Sequence, residues 1–339
     1  MASAMGATNM TLVTGGAGFL GSHVVDLLVA QGERVLVLDD LSGGRLANLR
    51  TASASGLVEL VEASVLDEAR VVAAISHARA IVHLASPIGV ATVLDDPAHT
   101  IEVIVGGAQN VLRHAHRRGV PTLVASSSEV YGPGGPSPLS EEDRPVLGPP
   151  DRFRWAYATA KLASEQMALA YHARGLPVVI ARLFNAVGPR QSAARGMVLP
   201  RFVSQALAGG PVTVHGDGLQ TRCFCDVRDV TRALLALMAT PAANGRVVNV
   251  GSAETTTIRA LAERVVAIAG RGAIAHVPTE SAYRAGFEEV RSRIPCLTLI
   301  EKLISFRPVW KLDASIADVV SALSSEAGRA AVPVDGGLS

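Results

Sequence analysis

The 339-residue sequence is 49% hydrophobic with a formal net charge of +1, enough apolar material for a substantial core and no basic stripe for nucleic acid or a membrane surface. Its longest apolar runs, such as ALLALMA, fall short of a membrane span, and no basic region precedes an apolar stretch at the N-terminus, so a cytoplasmic location is expected. Cys223, Cys225 and Cys296 give neither a disulfide framework nor, without nearby histidines, a zinc spacing, so reduced structural thiols and no metal site are expected.

From the N-terminus, short runs rich in Val, Leu and Ile alternate with longer segments of helical period. MTLVTG (10–15), RVLVLDD (34–40), AIVHLAS (80–86), TLVASSS (122–128) and VVIARLFN (178–185) each predict a buried parallel strand. This βαβ order predicts an α/β fold, a Rossmann-type doubly wound parallel sheet over residues 10–185, with ligands outside the carboxyl ends of its strands. At the first strand-to-helix junction stand Gly15, Gly18 and Gly21. Glycines there permit a tight turn, close approach of backbone to a pyrophosphate and close helix packing. The second strand ends in Asp39, at the distance expected for a carboxylate holding a ribose 2′-hydroxyl. A carboxylate there repels a 2′-phosphate and favours NAD, although nearby Arg45 leaves NADP open.

SSSEVYG (126–132) ends the fourth of these strands in hydroxyls and a carboxylate, Glu129. YATAK then sets Tyr157 and Lys161 one helical turn apart on one face. A phenol of pKa about 10 is a poor base unless a cation stabilises its phenolate, and Lys161 is expected to supply that charge. Beyond residue 186 Gly and Pro become more frequent, and a smaller, interleaved α/β substrate domain is expected over 186–324, with a return to the first domain near 220–255. GPRQSAARGMVLPRF predicts a loop entering a helix, VTVHGDG a strand and turn, and TIRALAERVVAIAG a helix closed by Gly270. The tail, 325–339, lacks a periodic apolar face and is expected to be mobile.

TGGAGFLGS, SSSEVYG, YATAK, RLFNAVGPRQ and GDGLQTRCF, in this order over about residues 10–323, resemble the extended short-chain dehydrogenase/reductase family of NAD-dependent nucleotide-sugar epimerases, dehydratases and decarboxylases. The resemblance implies NAD contacts at Gly15, Gly18, Phe19, Leu20, Gly21, Asp39, Asp40, Val65, Leu84, Ser86, Tyr157 and Lys161. It implies UDP-sugar contacts at Pro87, Ser127, Glu129, Asn185, Val198, Leu199, His215, Arg222 and Arg293, the two arginines on the diphosphate. Ser127 is implied to hold the sugar 4-hydroxyl, Tyr157 to remove its proton, and Lys161 to hold the nicotinamide ribose and depress the tyrosine pKa. A homodimer through helices at about 96–118 and 157–174 is also implied. The sequence departs from the family pattern at Ser64, Ile104, His215 and Cys296, which stand where an aspartate, an asparagine, a tyrosine and an aspartate are usual.

In this resemblance Glu129 is a feature of 4,6-dehydratases and UDP-glucuronate decarboxylases rather than of simple 4-epimerases. Dehydratases usually place an acid before it to expel the C6 hydroxyl, and Ser128 stands there instead. The expectation is therefore a UDP-glucuronic acid decarboxylase giving a UDP-4-keto-pentose or UDP-xylose. The alternatives are a nucleotide-sugar 4-epimerase, a 4,6-dehydratase, and a non-catalytic sensor that would have no need of Ser127, Tyr157 and Lys161 together.

Overall fold

A computed structural model describes residues 9–133, 138–193, 196–278 and 290–330. The chain opens with β1 (Met10–Thr14), α1 (Phe19–Ala30), β2 (Val35–Asp39), α2 (Leu46–Ser53), β3 (Val58–Glu62), α3 (Glu68–Ser76) and β4 (Ala78–His83). Two short helices, α4 (Val90–Asp95) and α5 (Pro97–Ile101), lead through a π-helical segment, Glu102–Gly106, into α6 (Gly107–Arg118). Then come β5 (Thr122–Ser127), α7 (Ala156–His172) and β6 (Val178–Leu183). The second half contains β7 (Ala186–Val187), α8 (Val198–Leu207), β8 (Pro211–His215), β9 (Thr221–Cys223), β10 (Cys225–Asp226), α9 (Val227–Met238), β11 (Val247–Val250) and α10 (Ile258–Ala269).

β11, β6, β5, β4, β1, β2 and β3 form, in that order, one seven-stranded parallel sheet. β1 and β2 are buried along their whole length, which is why they read as continuous apolar runs rather than alternating ones. One apolar cluster on the sheet gathers Val24, Val25 and Leu28 of α1 with Val230, Leu234 and Leu237 of α9. Another gathers Val71 and Ile75 of α3 with Val111 and Leu112 of α6 and Ala168 of α7. The five predicted strands are all present. The edge strand β3 escaped sequence reading because its mixed Val-Glu-Leu-Val-Glu run is only partly buried.

A third apolar cluster lies outside the sheet. It joins Phe202 and Val203 of α8, Val212 and Val214 of β8, and Leu261 and Val265 of α10 to Ile316 and Val319 of the final helix, Leu312–Ala330. The predicted closure of α10 by Gly270 holds, with that residue left-handed at φ 68°. Between these two stretches the chain returns to the sheet, α9 beside α1 and β11 beside β6. The tail expected to be mobile from residue 325 is instead helical as far as Ala330, and residues 331–339 lie outside the described ones. Among the described residues no helix is long and apolar enough to cross a membrane.

Candidate active site

β1 runs into α1 through a turn that side chains would obstruct. A Cβ on Gly15, at φ +70°, would lie 2.9 Å from the Ala85 backbone, and one on Gly21 would lie 2.1 Å from the Gly15 carbonyl oxygen. The turn, β4 and the first helical turn are thus drawn against one another, and the N–H groups of Phe19 and Leu20 fall in the part of α1 that has no intrahelical acceptor. Across this cradle the buried Asp39 accepts from the Ala17 amide at 2.9 Å and the Leu41 amide at 2.8 Å. Burial pushes its carboxyl above the ordinary value, and the two amides oppose that. Asp40 is exposed and accepts from the amide and hydroxyl of Ser42, so its carboxylate is committed to its own turn. Val65 and Leu84 are buried at the ends of β3 and β4. The cradle fits a dinucleotide: an open backbone for the pyrophosphate and a carboxylate for the ribose.

The ends of β5 and α7 meet beside it. Tyr157 lies near enough to Ser127 and Ser86 for both hydroxyls to bear on its pKa, and Ser127 Oγ accepts the Glu129 amide at 3.2 Å. Lys161 is buried, with Nζ 2.9 Å from the Ala125 carbonyl and 5.7 Å from the centre of the Tyr157 ring. The structure corrects the expectation that Lys161 depresses the tyrosine. Burial first, and then the charge of Glu129, push the phenol up to about 12, with the two serine hydroxyls opposing. Burial also drives Lys161 down to about 8 against the pull of Glu165. The Lys161 ammonium is turned onto the Ala125 carbonyl, and it is not among the groups that shift the phenol. Beneath it His83, whose Nδ1 lies 2.8 Å from Thr14 Oγ1, is pushed down to about 3 by burial and by Lys161, so it stays neutral.

Glu129 anchors the other wall. Its Oε1 accepts from Arg293 Nη1 at 2.5 Å, and Arg154 Nη2 stands 3.7 Å from Oε2. Burial alone would raise this carboxyl; Arg293, Arg154 and Arg222 outweigh it and hold it below the usual value. β9 pairs in parallel with the two-residue strand Ser292–Arg293, setting Arg293 directly beside Arg222. Glu129 therefore neutralises a cluster of like charges that strand pairing brings together. Arg293 is 3% exposed and keeps two buried groups, Nε and Nη2, with no hydrogen-bond acceptor among the described residues. Arg154, three residues before Tyr157, was missed in the sequence; its spacing from that tyrosine was the available signal.

A family model described as the NAD dependent epimerase/dehydratase family matches residues 11–251. The chain belongs to this family. It is 36% identical over 299 residues to a UDP-N-acetyl-alpha-D-glucosaminuronate decarboxylase of Bacillus cytotoxicus, covering 88% of this chain and 92% of the relative. Against UDP-glucuronic acid decarboxylase 1 of Arabidopsis thaliana the identity is 33% over 313 residues, 91% of this chain and 68% of the relative. An NAD-bound dTDP-glucose 4,6-dehydratase from Streptomyces venezuelae aligns with a TM-score of 0.85 at 27% identity, covering 94% of this chain and 98% of that one.

The cofactor of this epimerase/dehydratase is NAD, in keeping with the Gly15–Gly21 cradle and Asp39. Gly21→Ala is expected to cost the fold about 1–3 kcal/mol through overpacking and to weaken NADH binding. Thermal unfolding with and without cofactor reads both, and an unchanged transition contradicts the expectation. On the substrate side of the family fold, Pro87 lies four residues beyond the end of β4 and is half-buried. Asn185 is tied by Nδ2 to the Cys223 carbonyl at 3.0 Å. Val198 and Leu199 open α8, and because the Leu199 side chain is sealed in the core, only its main chain can face a ligand. His215, at the end of β8, lies 3.1 Å from Arg201 Nη1; burial and that guanidinium lower its pKa. Arg222 Nη1 donates to the Thr221 carbonyl at 2.9 Å. Cys223 and Cys225 are buried free thiols, Cys223 pushed up to about 12 and Cys225 higher still, chiefly by burial, so both are unreactive.

Proposed function

We propose that the chain is an NAD-dependent UDP-glucuronic acid decarboxylase, which oxidises the sugar at C4, loses carbon dioxide from the 4-keto acid and yields a UDP-4-keto-pentose or UDP-xylose. The observation that carries this is Glu129, an ionised carboxylate among arginines beside the Ser127–Tyr157 pair, with the hydroxyl of Ser128 in place of a second acid. The two relatives named above are both decarboxylases of UDP-linked uronic acids. Their substrates differ at C2, away from the reacting carbons, and share the C4 hydroxyl and C6 carboxylate that the chemistry needs.

NAD, held by the Gly15–Gly21 cradle with Asp39 at its ribose, would supply the acceptor, and later the donor, of the C4 hydride. Tyr157 Oη, its own proton released to solvent beforehand, accepts the C4 hydroxyl proton while Ser127 Oγ holds the same oxygen. With C4 a ketone, the C6 carboxylate stands β to it. The C5–C6 bond breaks, carbon dioxide leaves, and the bonding pair passes into an enolate whose oxygen is held by the Tyr157 and Ser127 hydroxyls. A solvent proton at C5 gives the 4-keto pentose, and Tyr157 returns its proton to O4 when the ketone is reduced. Arg222 and Arg293, with the amides at the start of α8, would hold the UDP diphosphate. The two unused buried donors of Arg293 favour that role.

Proton NMR of products from UDP-glucuronate and from UDP-N-acetylglucosaminuronate, each with NAD, tests the proposal. Unchanged uronates together with clean UDP-galactose formation from UDP-glucose would point to a 4-epimerase instead. The reading includes a cytoplasmic homodimer, in which Ile101 of α5 and Leu169 of α7, both more than a third exposed, would be covered. A monomer mass by light scattering would contradict the dimer.

A further inference from the structure

We infer that the buried carboxylate of Glu165 is a positioning residue of this site, fixing Lys161 against the end of β5 and supplying the counter-charge that lets an ammonium persist there. The inference rests on Tyr157 and Lys161 being the catalytic pair. Glu165 lies one turn beyond Lys161 on α7, on the same helical face. It is 2% exposed, and so are its partners nearly: Ser126 at 3% and Arg182 at 4%. Ser126 Oγ donates to Glu165 Oε1 at 2.5 Å, while Arg182 grips both oxygens, Nε to Oε1 at 2.9 Å and Nη2 to Oε2 at 2.8 Å.

The gripped residue is the informative one. Ser126 sits between Ala125, whose carbonyl receives the Lys161 ammonium, and Ser127, whose hydroxyl bears on the Tyr157 phenol. Glu165 thereby ties α7 to β5 at the point where the catalytic groups leave those elements. The groups facing Lys161 are neutral His83 from β4, the Ala125 carbonyl from β5, and Tyr157 and Glu165 from α7, with Arg182 of β6 bound to Glu165. Of these, Glu165 is the anion that opposes the burial of the lysine. Packing does not require it: a buried ion pair can generally be exchanged for apolar groups of similar volume with little loss of stability.

The test measures kcat from about pH 6 to about pH 10, at saturating NAD and UDP-sugar, for the wild type, Glu165→Gln and the paired variant Glu165→Gln/Arg182→Met, with thermal unfolding of each. Both variants are expected to lose the alkaline limb of activity about one pH unit earlier, roughly a tenfold loss above that limb. The paired variant is expected to melt close to the wild type, so it decides alone where Glu165→Gln fails to fold. A paired variant whose alkaline limb coincides with the wild type, even if slower at every pH, overturns the inference, as does a paired variant that cannot fold. Tyr157→Phe, assayed in parallel, isolates the underlying reading: full turnover there removes the catalytic pair itself, whichever way Glu165 behaves.

Discussion

Tyr157→Phe is expected to lower kcat by about 10²–10⁴-fold, the span of a lost general acid–base group, while leaving NADH binding within about twofold. The phenol lies near the Ser127 and Ser86 hydroxyls, and the change removes one oxygen from a ring that otherwise keeps its place on α7. Because burial and Glu129 push the phenol up to about 12, the resting enzyme holds it protonated at neutral pH. To act as the base the phenol first releases that proton to solvent, then takes up the C4 hydroxyl proton in the oxidation and gives it back to O4 when the ketone is reduced. Product formation followed by NMR, beside NADH fluorescence, measures the two effects separately. Turnover equal to the wild type would remove Tyr157 from the chemistry.

Glu129→Gln is expected to lower kcat for carbon dioxide release by about 10²-fold, with KM unchanged or smaller. Parallel pairing sets Arg222 beside Arg293, and Arg154 completes the cluster that Glu129 neutralises. With a neutral amide in its place, Arg154, released from its pairing with position 129, would bind the C6 carboxylate of the substrate more tightly in its resting form. Decarboxylation discharges that carboxylate, so stronger ground-state binding raises the barrier instead of lowering it. Ser127, Tyr157 and Lys161 keep their side chains, and losing the Glu129 charge relieves part of the upward push on the phenol, so C4 oxidation should continue, and absorbance of enzyme-bound reduced cofactor should build up in a stopped-flow trace. Loss of that absorbance together with turnover would show that Glu129 serves the first step rather than the second.

The parts of the fold that sequence could reveal are those governed by local pattern. β1 and β2 are buried on both faces and read as unbroken apolar runs, and Tyr157 and Lys161 share a helix face by spacing alone. The edge strand β3 was hidden by its glutamates, and the predicted helix at 96–118 gave no hint of its π-helical segment. The Glu129–Arg293 pair could not be read either, since its partners stand 164 positions apart and meet only through the pairing of β9 with Ser292–Arg293. The charge balance at Tyr157 was misjudged for a related reason. Spacing shows that a lysine is near, whereas its hydrogen bond to Ala125 and its burial are properties of the assembled pocket.

That distant arginine also orders events in time. The nucleotide cradle is complete within the first 41 residues and the sheet that supports them, but the anion at position 129 gains its hydrogen-bonded arginine only when the segment at 292–293 docks. A chain refolding from denaturant should therefore recover dinucleotide fluorescence before it recovers turnover, and the lag should lengthen when the docking of Ser292–Arg293 onto β9 is weakened.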